Sequence, residues 1–150
     1  VNKGTINVSG NTSLTIPTLS GTAIYVVGDT TLTDTVIGGN VYAGYGSNKT
    51  ASLTLTINGT FTANALYVGN KYEHYTNGEV HTLVINGATV NVASLYVRPT
   101  CVATVNNSVV NTGDLLVRGS MTVTDSTMTN KPTVSGGTAN SRLYDAEADI

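Results

Sequence analysis

The sequence predicts an all-β chain wound as a β-solenoid of roughly six coils, with a period near 20 residues, and three observations carry that prediction. Thr supplies 26 of the 150 residues while charged residues make up only 11%. Thr loses rotamer freedom in a helix and Asn and Ser compete there for backbone hydrogen bonds, so this mixture favours pleated strands and tight turns. Short strand signatures recur in the same phase along the chain, which is the mark of stacked repeats. Corners rich in Asn and Gly follow one of those signatures, supplying residues that tolerate positive φ.

Taken in order, the elements read as follows. The chain enters directly into "GTINV", and an apolar-Tyr-apolar strand then appears as Ile24-Tyr25-Val26 and again as Val41-Tyr42-Ala43. An insertion, "GYGSNKTA", near 44–52 delays the next copy. Leu55 and Ile57 make an apolar-x-apolar strand closed by Asn58-Gly59, "TFTA" forms a short third run, and Leu66-Tyr67-Val68 completes the unit. A second insertion near 69–81, "GNKYEHYTNGEVH", precedes Leu83 and Ile85 with the corner Asn86-Gly87, then "TVNV" and Leu95-Tyr96-Val97. The unit returns as Ala103 and Val105, Asn106-Asn107, "SVV" and Leu115-Leu116-Val117, and begins once more at Met121 and Val123 before Asp125-Ser126. Tyr96 and Leu116 are 20 positions apart, Val105 and Val123 18. The stretch 138–150 reads as an acidic C-terminal tail. A β-sandwich also accommodates short alternating strands, but gives them no reason to repeat the same residues in the same phase.

One domain over 1–150 fits the length. Side chains alternate along a strand, so the aliphatics flanking each Tyr face inward. The expected core is Ile24, Val26, Leu55, Ile57, Leu66, Val68, Leu83, Ile85, Leu95, Val97, Val105, Leu115 and Val117. Tyr25, Tyr42, Tyr67 and Tyr96 then form an outer ladder: a self-supporting stack, a lateral interface with another copy, or a saccharide platform. Arg98 and Arg118 occupy equivalent positions and should stack outward one coil apart. Asp145, Glu147 and Asp149 form an acidic end that either is solvated or docks on that basic strip.

A net charge of −2 offers no basic footprint for nucleic acid, and no apolar run is long enough for a membrane-spanning helix. Cys101 is the only cysteine. It reads either as a small buried apolar residue or as one half of an interchain disulfide. Glu73, His74, Glu79 and His81 form the only group of metal-ligand types, but without ligand spacing, so they read as decoration of a solvated loop. Carboxylates elsewhere are dispersed and no nucleophile motif appears, so the expectation is no enzyme, no cofactor and no metal. Thr-x-Thr ladders that order water are also tested by the sequence: "TLT" at 54–56 becomes "TLV" at 82–84 and "TVN" at 104–106, so the ladder is not kept.

Val1 in place of an initiator Met leads to the expectation of a processed, secreted chain whose signal peptide has been removed. With no capping segment recognisable at either end, head-to-tail stacking on further copies is expected. The Asn-Gly cornered repeat, Thr-rich strands, absent caps and lone Cys101 resemble secreted surface β-solenoid proteins over about Gly4 to Gly137. The first such family is the tubular sheath proteins of methanogenic archaea, a resemblance that implies strands polymerised into hoops outside the cell. The second is the passenger region of bacterial autotransporter adhesins, similar in repeat style but usually longer and joined to a membrane barrel. The expected function is a noncatalytic structural protein that partners itself in a sheath, surface layer or filament. The alternative is an adhesin or glycan-binding module that uses the Tyr ladder.

Overall fold

The computed structural model describes residues 5–8, 12–14, 23–44, 52–69, 80–129, 133–134 and 138–142. No helix occurs among them. The strands are β1 (Thr5–Val8), β2 (Thr12–Leu14), β3 (Ala23–Val26), β4 (Thr30–Val36), β5 (Asn40–Ala43), β6 (Thr54–Val68) and β7 (Thr82–Asn86). They continue as β8 (Thr89–Val97), β9 (Val102–Asn106), β10 (Val109–Val117), β11 (Ser120–Thr124), β12 (Thr127–Met128), β13 (Thr133–Val134) and β14 (Thr138–Arg142). All belong to one 14-stranded sheet. Every strand pair among the described residues is parallel.

The pairings fall into three sets. One set, the tyrosine face, aligns the apolar-Tyr-apolar copies, so Ile24, Val41, Leu66, Leu95 and Leu115 lie side by side. A second, the threonine face, aligns Leu32, Ile57, Ile85, Val105 and Val123. The third aligns Thr35, Phe61, Val90, Val110 and Met128. Inward residues of all three sets join a single buried cluster, so the sheet curls around one core. All thirteen core residues expected from the sequence are buried. Apolar side chains at every second position, each on top of its equivalent in the next strand, remove large area from water at about 25 cal/mol per Å².

Bends between the second and third sets are marked by positive φ at Asp34 (48°), Gly59 (67°), Gly87 (60°), Asn107 (47°) and Asp125 (49°). These are residue types that enter the left-handed region at low cost. Four were expected corners, while Asp34 was not. It replaces the missing Asn-Gly with its own carboxylate, which accepts the Thr60 N–H at 3.0 Å. A Cβ on Gly59 would lie 2.1 Å from Asp34 Oδ1, so a larger residue there would push the carboxylate off its bond with the Thr60 N–H.

Where the described strand bends, serines stand in for the missing sheet acceptors. Ser108 Oγ accepts the Ala88 N–H and Ser126 Oγ accepts the Ser108 N–H, each at 3.0 Å. The bends following the tyrosine face carry Gly44 (φ 93°), Gly69 (φ 114°) and, in the turn from Arg98 to Cys101, Thr100 (φ 67°).

Two expected boundaries move. Thr138–Arg142 is not part of a tail but a strand that pairs in register with Ser120–Thr124. The second insertion ends before His81, which is 4% exposed and packs so close to Gly44 that a Cβ there would meet its ring at 2.3 Å. His81 is thus a core-edge residue and not loop decoration. The rest of both insertions, 45–51 and 70–79, and Asp145, Glu147 and Asp149 lie outside the described residues.

Candidate functional site

The tyrosines are brought together by register alone. Tyr25, Tyr42, Tyr67 and Tyr96 are direct partners on β3, β5, β6 and β8. Their neighbours Ile24, Val26, Val41, Ala43, Leu66, Val68 and Leu95 are 0% exposed and Val97 1%, which turns each ring to the opposite face. Ring centroids are 5.2, 4.8 and 4.8 Å apart with interplanar angles of 17°, 18° and 24°. In-register parallel strands impose that spacing, and it falls within the range of favourable offset stacking. The ladder stops at β10, where Leu116 pairs with Tyr96.

The ladder is more enclosed than an open platform. Tyr42 is 6% exposed. It lies between two rings, and its hydroxyl accepts a hydrogen bond from Asn40 Nδ2 at 3.0 Å. Asn64 Nδ2 in turn donates to Asn40 Oδ1 at 2.8 Å, so the polar edge of the ladder is tied to the next strand. The Arg98 guanidinium lies 5.1 Å from the Tyr67 centroid and 5.7 Å from that of Tyr96, a cation–π arrangement. Arg98 and Arg118 do hold equivalent places: Arg98 N–H donates to Val68 O and Arg118 N–H to Val97 O. Both are half-buried with their Nε atoms shielded, and Arg98 lies on the same face as the tyrosine rings. The stem of Arg98 lies against Gly69, whose lack of a side chain makes room for it.

Cys101 is 2% exposed, and a Cβ on Gly69 would lie 2.9 Å from its Sγ. That is the position of a small buried apolar residue. A bond to another chain would first require this corner to open. Asp29 and Asp34 each spend a carboxylate oxygen on the next strand, at Thr54 N (2.8 Å) and Thr60 N (3.0 Å). Among the described residues no three His, Cys, Asp or Glu side chains gather in a way that would hold a metal ion. Glu73, His74 and Glu79 lie outside them. Sequence reasoning missed a groove of about 390 Å³ on the threonine face, lined by Asp29, Thr30, Thr31, Thr54 and Thr56. Its only signal was the run of threonines.

No protein-family model, curated protein or solved structure matches the chain.

Proposed function

We propose that the protein is a noncatalytic structural β-solenoid of roughly six coils that self-assembles by β-edge stacking into an extracellular sheath, surface layer or filament. One observation carries this reading: successive strands stack like on like. Tyr lies on Tyr, Asn91 on Asn111, and Ser108 hands its N–H to Ser126. A strand from another copy that presents the same residues finds the same partners, and a head-to-tail contact of that kind continues into a ring or filament.

Electron microscopy of the isolated protein, beside a size measurement in solution, tests the proposal. Rings, tubes or filaments are expected, with and without reducing agent, because Cys101 is buried. A monomer under all conditions would overturn it.

The half-buried rings at Tyr25, Tyr67 and Tyr96 favour a second reading, an adhesin or glycan-binding module. Binding of soluble glycans by a monomer, lost on Tyr25→Ala, would select it.

A further inference from the structure

The threonine face turns a second, independent array outward. Thr31, Thr56, Val84, Thr104 and Thr122 are consecutive partners on β4, β6, β7, β9 and β11. Two residues earlier a parallel column runs Thr54, Thr82, Val102 and Ser120. The inward residues between them, among them Leu55, Leu83, Ala103 and Met121, are 0% exposed, which fixes both columns on the outside. The ladder appears lost in the sequence because Thr104 looks equivalent to Thr82. In the structure Thr82 pairs with Val102 and Thr104 falls beside Val84, so threonine fills the first column except at Val84, while Val102 interrupts the second and the two columns are never both threonine beyond Thr54 and Thr56.

This surface has a distinctive chemistry. Neither column contains a charged group or an aromatic ring. Asp29, at one edge, has an oxygen engaged by Thr54 N–H. What remains is hydroxyls and methyls spaced about 4.8 Å across the strands and about 6.6 Å along them, the hydroxyls interrupted at Val84 and Val102. Each hydroxyl both donates and accepts, and the β-branched stem restricts where it can point. Such an array is pre-organised, so little entropy is lost in ordering it against a partner. A globular protein or a single flexible chain gains nothing from repetition in two directions. A neutral solid with a two-dimensional lattice of oxygens does.

We propose that this face binds ice, its threonine hydroxyls joining the oxygen lattice and its methyls seating in the spaces between. The inference goes beyond the structural role and does not depend on it.

The test is the shape of ice crystals grown in the purified protein and the gap between its melting and freezing temperatures. Faceted crystals and a measurable gap are expected. Thr56→Tyr and Thr104→Tyr should each reduce the gap several-fold, whereas Thr62→Tyr, on the third strand set, should leave it unchanged. Val84→Thr fills the break in the column and should widen the gap. Should a tyrosine variant lose its β circular dichroism, Thr104→Ser keeps the hydroxyl, removes the methyl and should still narrow the gap. Round crystals with no gap would overturn the proposal. So would a gap indifferent to folded Thr104 and Val84 variants, or retention on crystalline cellulose or chitin with no effect on ice.

Discussion

Ser108 shows how much of the fold depends on single atoms at the corners. Its Oγ accepts the Ala88 N–H at 3.0 Å and donates to Asn106 O at 2.6 Å, and the residue is 5% exposed. The strand cannot supply a carbonyl there because the chain is turning at Asn107. Ser108→Ala therefore strands a buried donor and should cost about 1–3 kcal/mol. The check is a lower urea midpoint at unchanged m-value. A shift indistinguishable from zero would mean that Ala88 N–H finds water instead. Gly119 tests space and not hydrogen bonding. A Cβ there would sit 2.0 Å from Cys101 O and 2.5 Å from Arg98 O, both backbone atoms that cannot swing aside. Where Gly→Ala is sterically free it stabilises by about 0.4–1 kcal/mol. Here overpacking should reverse the sign, with a loss of about 1–3 kcal/mol in the same denaturation experiment. A neutral or stabilised Gly119→Ala protein would show that the Arg98 to Cys101 turn relaxes freely.

At the scale of the element, Tyr67 is the ring with the most to lose. It stacks on Tyr42 and Tyr96 at 4.8 Å each and lies under Arg98 at 5.1 Å. Ring pairs contribute about 0.5–1.5 kcal/mol each and an exposed cation–π contact about 0.5–1 kcal/mol. Tyr67→Ala should thus cost about 1.5–4 kcal/mol by the same reasoning, and Tyr67→Phe far less. Tyr25→Ala, which breaks one described stack at 5.2 Å, should cost less than Tyr67→Ala when urea midpoints are compared. Equal losses would mean that the rings act singly and not as a ladder. This element was legible in the sequence because a central Tyr between two aliphatics recurs in four copies. The Gly59, Gly87, Asn107 and Asp125 corners were legible for a similar reason, since few residues accept positive φ. Asp34 was not, because a carboxylate capping the next strand leaves no dipeptide signature. The threonine column was misread by two residues. A slip of two keeps every side chain on its own face, so the core was identified correctly while the surface partners were not. The corners carry the right register, since aligning Asn86-Gly87 with Asn106-Asn107 sets Leu83 beside Ala103 and Ile85 beside Val105, as the strands pair. His81 was misread because polarity does not mark where an insertion ends and a strand set resumes.

For the whole molecule, the forces that hold one strand to the next set the conditions under which copies should associate. The chain carries a net charge of −2 and only 11% charged residues. The contacts between strands are backbone ladders, apolar columns and stacked rings. Screening acts on charges and leaves such contacts almost untouched, whereas urea solvates both peptide and apolar groups. Assemblies formed by edge stacking should therefore keep their dimensions from about 0.05 M to about 1 M NaCl, where the Debye length falls to about 3 Å. Sulfate should lengthen them and urea should disperse them, with light scattering and electron microscopy as the readouts. The competing arrangement has Asp145, Glu147 and Asp149 docked on Arg98 and Arg118 of a neighbour. Ion pairs near a surface weaken with salt, so that arrangement predicts dispersal at about 1 M NaCl and none of the sulfate effect. Dispersal by NaCl alone would thus transfer the role of joint from the strand edges to the acidic terminus. Persistence through the series, with loss only in urea, would leave the stacked strands as the joint.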